Sequence, residues 1–155
     1  MSELTIGSPA PDFTLPTNGG GTVSLAGLAG RKIVLYFYPK DDTPGCTTEA
    51  IEFTGLAAEF EAAGTTVIGV SRDSVAAHDK FAKKHQLAVT LGADEEGKVT
   101  EAYGVWVEKN MYGRTYFGIE RSTFLIDGQG KIAGIWHKVK VKNHASAVLE
   151  AAKAL

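Results

Sequence analysis

Apolar and polar residues along the chain alternate between short runs of strand length and segments with helical spacing. Residues 33–38 and 65–71 are apolar, rich in β-branched side chains and long enough for buried strands. Between them, helical spacing extends from Thr47 to about Ala63, and Gly64 is suited to end a helix. The order strand, helix, strand predicts a β-α-β unit.

Weaker patterns predict further elements on either side of this unit. Upstream, the triple glycine at 19–21 separates two short extended pieces and predicts a small N-terminal hairpin. Downstream, Ser74 should cap a helix that ends near His85, and residues 89–91 form a candidate strand. Asp94 should cap the next short helix.

The last third of the chain predicts strands followed by a helix. Residues 105–107 and 114–117 flank a loop, and residues 122–126 and 131–136 flank a turn, so each pair predicts a hairpin. Asn143 should begin the final helix. The sequence therefore predicts an α/β fold with a mixed β-sheet covered by helices on both faces.

Composition narrows the class of protein. The 155 residues suffice for one domain, predicted to span residues 1–155, and the net charge of −2 gives no general reason to bind nucleic acid or anionic membranes. No apolar run approaches the roughly 20 residues of a membrane-spanning helix. Residues 1–6 lack the basic and apolar segments of a signal peptide, so a cytoplasmic protein is expected.

The only cysteine, Cys46, lies directly after the first buried strand. Pro39 should end that strand, Thr43 is a good N-cap residue, and Pro44 suits the first position of a helix. The unpaired N–H groups and dipole of a first helical turn favour the nucleophilic thiolate. A buried, inert cysteine would also fit, and helix position alone leaves both interpretations open.

A resemblance to a known family favours the first interpretation. The spacing Pro39-x-x-x-Thr43-x-x-Cys46 resembles the active-site motif of peroxiredoxins. The longer string YPKDDTPGCTTEA is similar to the bacterioferritin-comigratory (PrxQ) subfamily, and the likeness continues through residues 8–13, 103–106 and 121–127. It implies a thioredoxin-like fold with an N-terminal hairpin.

The resemblance also implies roles for residues around the cysteine. Cys46 would be the peroxidatic cysteine, which attacks a peroxide oxygen and becomes a sulfenic acid. The Thr43 hydroxyl would hydrogen-bond the thiolate and the peroxide, and Pro39 would shield the sulfur from water. The N–H groups of Gly45 and Cys46 could bind a peroxide oxygen, as helix N-termini bind anions.

Two charged residues complete the implied site. Arg121 matches the family's catalytic arginine, which would stabilise the thiolate and the developing negative charge on the leaving oxygen. Taken alone, an arginine at a strand edge is more often a solvated surface residue. Glu49 lies on the same helical face as Cys46 and would support the site without touching peroxide, or would simply favour the helix N-terminus.

One position departs from the family pattern. Close relatives often carry a resolving cysteine five residues after the first, and this chain has Ile51 there. With one cysteine, no internal disulfide can form. We expect Ile51 to pack into the core, the helix to remain folded during turnover, and the sulfenic acid to be exposed to an incoming thiol.

The expected activity is therefore reduction of hydrogen peroxide or organic hydroperoxides without metal, haem or flavin. Thioredoxin, a glutaredoxin-like protein or a small thiol would recycle the enzyme, which would be a monomer or a weak homodimer. A disulfide exchanger normally needs Cys-x-x-Cys, and position 49 is Glu. A peroxide sensor would use the same residues. His78 and His85 are expected to be solvated rather than metal ligands.

Overall fold

The computed structural model describes residues 4–155, so the first three residues of the N-terminal stretch discussed above lie outside the described part. Within that part, the strands are β1 Thr14–Pro16, β2 Thr22–Ser24, β3 Lys32–Phe37, β4 Thr65–Ser71, β5 Thr90–Ala93, β6 Trp106–Met111, β7 Arg114–Ile119, β8 Ser122–Ile126 and β9 Ile132–Trp136. The α-helices are α1 Pro44–Gly55, α2 Ala57–Ala62, α3 Val75–His85, α4 Lys98–Ala102 and α5 His144–Lys153.

A mixed five-stranded sheet in the order β5-β4-β3-β8-β9 forms the centre of the fold. β3 pairs in parallel with β4 and antiparallel with β8. Because β8 runs antiparallel to β3, its first residue, Ser122, pairs with Phe37 at the end of β3. This pairing brings Arg121, the residue before β8, close to the end of β3, from which the chain continues into α1. The predicted mixed sheet is confirmed.

The two remaining strand pairs lie outside the central sheet. β1 and β2 form the predicted N-terminal hairpin, and β6 and β7 form a two-stranded antiparallel ribbon. The ribbon's tip carries exposed Met111 and Tyr112, and Phe117 is exposed on its second strand.

Side chains of β3 alternate between two cores because the strand is covered on both faces. Val34 and Tyr36 join a cluster with buried residues of α1, α2, α3 and α5. Ile33, Leu35 and Phe37 join a second cluster with α4 and the N-terminal segment. The alternation explains why residues 33–38 form a continuous apolar run.

Two helices differ in detail from the prediction. The helix expected to reach Ala63 is broken at Leu56, which has φ −104° and ψ 8° and donates its N–H to Phe53, three residues back. Gly55 precedes the break, and glycine is a poor helix former. Asp94 does cap the next helix from outside, because its carboxylate accepts the N–H groups of Val99 and Thr100.

Among residues 4–155, none of the helices combines the length and apolar character needed to cross a membrane.

Candidate active site

Cys46 is the third residue of α1, in the turn where backbone N–H groups lack partners within the helix. Thr43 takes the N-cap position with extended backbone angles, and Pro44 begins the helix, as predicted. The sulfur lies inside the protein: Cys46 is 1% exposed. The expectation that an incoming thiol can reach it directly is therefore wrong for the folded protein.

Arg121 contacts the cysteine directly. Its Nη2 atom lies 3.3 Å from Sγ of Cys46, and its Nη1 atom donates to Oε1 of Glu49 at 2.7 Å. Gly45 makes room for this arrangement, since a Cβ atom there would lie 3.1 Å from Nη2. A guanidinium is always charged and donates in a fixed fork, so one group serves both the sulfur and the carboxylate.

Glu49 lies behind Arg121 and is almost fully buried, with 1% of the residue exposed. Burial raises the pKa of this carboxyl from 4.5 to about 7, although the Arg121 charge acts in the opposite direction. Its second oxygen, Oε2, has no hydrogen-bond partner among the residues the structure describes. The carboxyl is therefore buried with one strong contact, and because its pKa is raised to about 7, its charge is sensitive to pH near neutrality.

The Thr43 side chain is oriented by the preceding loop and not by the helix. Its hydroxyl donates to the carbonyl of Lys40 at 2.8 Å and makes no cap bond to α1. With its proton engaged, the oxygen is free to accept a hydrogen bond from a thiol or a peroxide but cannot also donate to a thiolate. Pro39 lies exposed at the start of the same loop.

Ile51 is not where the sequence suggested. The side chain is 46% exposed and takes no part in the core, so the predicted packing is wrong. The buried residues of α1 are Cys46, Glu49, Ala50 and Phe53, a spacing of i, i+3, i+4 and i+7. Ile51 falls outside this stripe.

Two residues of the central sheet, Tyr36 on β3 and Thr123 on β8, lie on the side of the site that faces the protein interior. Tyr36 stacks on Phe53 with ring centroids 4.6 Å apart, and its buried hydroxyl has no partner among the described residues. Gly69 allows this placement because a Cβ there would lie 2.6 Å from the tyrosine ring. His144 bonds Thr123, and burial together with the Arg121 charge lowers its pKa to about 4.

The sequence did not reveal the buried position of His78. His78 is fully buried and lies 2.6 Å from the Asp41 carboxylate in the loop that precedes Thr43, so the expected solvated position is wrong. The signal was its spacing, because His78 lies three residues before Phe81, and these two are the buried residues of α3. His85, at the end of the helix, bonds exposed Asp42.

Comparison with known proteins adds independent information. The family model described as AhpC/TSA matches residues 6–135. A putative peroxiredoxin Bcp of Coxiella burnetii is 51% identical over 147 residues, which cover 95% of this chain and 97% of that protein. The peroxiredoxin Bcp of Bacillus subtilis is 49% identical over 150 residues, 97% of this chain and 96% of that protein.

Solved structures agree with these matches. The bacterioferritin comigratory protein of Xanthomonas campestris, studied for its alkyl peroxide reduction activity, superposes with a TM-score of 0.89. It is 47% identical, over 97% of this chain and 96% of that one. A mutant of PrxQ from Xylella fastidiosa gives a TM-score of 0.93 at 41% identity, over 99% of this chain and 98% of that one.

Proposed function

Since this chain belongs to the AhpC/TSA family and is a thiol-dependent peroxidase of the PrxQ type of peroxiredoxin, we propose that Cys46 is its peroxidatic cysteine and that an external thiol recycles it. The observation that carries the proposal is the contact of 3.3 Å between Nη2 of Arg121 and Sγ of Cys46 in the first turn of α1. A fixed positive charge beside the sulfur favours the thiolate, which is the nucleophilic form.

The proposed first step consumes one peroxide. The Cys46 thiolate attacks one peroxide oxygen, a sulfur–oxygen bond forms, and the oxygen–oxygen bond breaks. The leaving oxygen departs with the bonding electron pair, takes up a proton, and becomes water or an alcohol. The sulfur is thereby oxidised to a sulfenic acid. Hydrogen peroxide and alkyl hydroperoxides both fit this chemistry, and the alkyl peroxide activity of the Xanthomonas relative supports the second.

The surrounding residues would bind and polarise the peroxide. The Thr43 oxygen, whose proton is engaged by Lys40, accepts the hydrogen bond of the peroxide O–H. N–H groups of Gly45 and Cys46 point from the start of α1 and donate to a peroxide oxygen. Arg121 stabilises the negative charge that develops on the leaving oxygen. Pro39 excludes water at the mouth of the site.

Recycling needs two thiols from outside, because the chain has no second cysteine. The first thiol attacks the sulfenic acid, releases water and forms a mixed disulfide with Cys46, and the second releases the reduced enzyme. The thiols supply both electrons, so the cycle needs no metal, haem or flavin. Thioredoxin, a glutaredoxin-like protein or a small thiol would serve, which fits a reducing compartment such as the cytoplasm.

The burial of Cys46 adds a requirement to this cycle. Cys46 is 1% exposed, so its sulfur offers no open surface to the thiol of a protein such as thioredoxin. The first turn of α1 must therefore open before the mixed disulfide forms. We propose that one chain of 155 residues, acting as a monomer or a weak homodimer, performs the whole cycle.

The test is peroxide consumption by the purified protein with thioredoxin and its reductase, with glutaredoxin and glutathione, and with dithiothreitol. We expect many equivalents of peroxide to be consumed per enzyme with at least one reductant and none by Cys46→Ser, which should keep its circular dichroism spectrum. Consumption of a single equivalent with every reductant would indicate a sensor. Substantial turnover by Cys46→Ser would refute the assignment of the cysteine.

A further inference from the structure

A buried network fastens the loop between β3 and α1 to the rest of the structure. Asp41 lies in this loop, two residues before Thr43. One of its carboxylate oxygens accepts the Tyr38 hydroxyl at 2.5 Å, and the other lies 2.6 Å from Nδ1 of His78 on α3. The His78 side chain is 0% exposed and that of Asp41 is 6% exposed. This contact is therefore protected from solvent and from salt.

The hydrogen-bond partners fix the proton count of the pair. Nε2 of His78 lies 3.0 Å from the carbonyl of Gly92, which can only accept, so Nε2 carries a hydrogen. The contact between Nδ1 and Asp41 then needs one further proton, which the two groups share. The pair has no net charge in either arrangement of that proton, and with the proton on His78 the hydrogen bond is charge-assisted and therefore strong.

The backbone of the same loop is held by a second carboxylate. The Asp41 N–H donates to Oδ2 of Asp73 at 2.9 Å, and the same oxygen accepts the Ser71 hydroxyl at 2.6 Å. Oxygen and nitrogen atoms of Asp41, Asp73 and His78 lie within 4.8 Å of one another. Both nitrogens of His78 are engaged in hydrogen bonds, so this geometry favours fastening the loop over binding a metal ion.

We propose that the buried pair Asp41–His78 is a positioning device that sets the Thr43 oxygen at the distance and angle needed to hold a peroxide over Cys46. The link is short: the Thr43 hydroxyl takes its direction from the carbonyl of Lys40, the residue before Asp41. Any displacement of the Asp41 backbone moves that carbonyl and turns the Thr43 oxygen with it. The inference rests on the proposed peroxidase chemistry of Cys46.

The neighbouring residue shows why the buried contact is needed. Asp42 also bonds α3, through Lys84 and His85, but these contacts lie at the surface, where ion pairs are weak. Asp42 has φ +61°, a left-handed conformation that costs free energy in any residue except glycine. The loop is thus held in a strained path, and the contact protected from water is the one able to hold it there.

Two substitutions of His78 each remove one of the two hydrogen bonds of its imidazole. The amide nitrogen of asparagine takes the place of Nδ1, and that of glutamine takes the place of Nε2. His78→Asn therefore keeps a donor for Asp41 and loses the bond to Gly92, and His78→Gln does the reverse. Both variants remove the imidazole from the same buried position, so each serves as the other's control for a purely structural effect.

Two rates are measured for each purified variant. The first is the single-turnover reaction of Cys46 with hydrogen peroxide, followed by tryptophan fluorescence. The second is alkylation of Cys46 by iodoacetamide, which needs the thiolate and access to the buried sulfur but no peroxide positioning. We expect His78→Gln to react at least about tenfold more slowly with peroxide, because small misplacements have large kinetic effects. Its alkylation rate should match that of the wild type, and His78→Asn should resemble the wild type in both reactions.

A second pair of variants covers the case in which a His78 variant does not fold. Asp41→Ala should show the same selective loss of peroxide reactivity, and Asp42→Ala, which removes only surface contacts, should not. Equal peroxide rates for Asp41→Ala and Asp42→Ala, or a parallel fall in peroxide and iodoacetamide rates, would overturn the inference. If wild-type Cys46 fails to react with peroxide, the proposed function itself fails.

Discussion

Nη1 of Arg121 lies 2.7 Å from Oε1 of Glu49, while Nη2 of the same guanidinium lies 3.3 Å from Sγ of Cys46. Glu49 and Cys46 are three residues apart on α1, so the arginine contacts two adjacent positions on one face of the helix. The carboxylate fixes the direction in which the guanidinium meets the sulfur. The charge state of Glu49 should therefore affect the stability of the protein, and replacement of Arg121 should affect the rate of the peroxide reaction.

Glu49→Gln should change how stability depends on pH. The pKa of Glu49 is raised by burial from 4.5 to about 7 in the folded protein, so between these values the folded state binds more protons than the unfolded state. The contribution of Glu49 to the free energy of unfolding is thus fully present below about pH 4.5. It is lost as pH rises through about 7. The loss amounts to at most about 3 kcal/mol.

Urea unfolding of wild type and Glu49→Gln at a series of pH values between 4.5 and 8 measures this effect. The glutamine variant should gain stability relative to wild type as pH rises through the window. Glu108→Gln, at an exposed position on β6, provides the matched control and should follow wild type. A constant difference between wild type and Glu49→Gln across the window would mean that the carboxyl does not titrate there.

Arg121→Lys should slow peroxide reduction by about a hundredfold, the scale of losing one preorganised donor to a developing oxyanion. Lysine keeps the charge but cannot place two separate nitrogens on Glu49 and Cys46 at once. The single-turnover rate with hydrogen peroxide gives the comparison. Arg114→Lys, on the exposed face of β7, should leave the rate unchanged. A wild-type rate for Arg121→Lys would show that charge alone is sufficient.

Thr43→Val should lower the peroxide rate, and Thr43→Ser should restore most of it. Valine has nearly the same shape but cannot donate to Lys40 or accept from a peroxide, whereas serine can do both. Thr48→Val is the matched control, because that hydroxyl also donates to a backbone carbonyl, that of Pro44, but on the exposed side of α1. If both valine variants slow the reaction equally, the effect is on the helix and not on the peroxide.

Ile51→Cys should form an intramolecular disulfide with Cys46 when peroxide is added without reductant. Five residues of helix span about 7.5 Å, which exceeds the usual Cα separation of a disulfide, so the bond forms only if α1 unwinds. Intact mass separates a disulfide from a sulfinic acid. Ala58→Cys, exposed on α2, provides a distant control cysteine. Sulfinic acid at Cys46 with no disulfide would indicate that the helix does not open.

Much of the fold could be predicted from the sequence because the central strands carry a strong local signal. The run 65–71 coincides with β4, and Ser74 caps α3 through a hydrogen bond from Ala77. The thioredoxin-like fold and the subfamily, implied by the motif around Cys46, are confirmed by related structures of high similarity. The break at Leu56 had no comparable signal, because apolar spacing continues across it.

The site was less predictable, because the predictions that proved wrong concern the direction in which side chains face. Ile51 was judged by its apolar, β-branched character, but burial on α1 follows a stripe through Cys46, Ala50 and Phe53 that excludes it. Thr43 has the predicted backbone position, yet its hydroxyl bonds to Lys40 in the loop. His78 was expected to be solvated because a metal site would need more ligands, and only tertiary packing reveals the buried carboxylate beside it.

The exposure of Ile51 has an evolutionary consequence. A core residue at this position would tie the loss or gain of a second thiol to a loss of packing, and selection on stability would oppose each change. A half-exposed side chain on the outer face of α1 is free of that constraint, because substitutions at such positions usually change stability by less than about 0.5 kcal/mol. A thiol can therefore be gained or lost at residue 51 with little change in the packing of the folded protein, and whether it forms a disulfide depends on the opening of α1 alone.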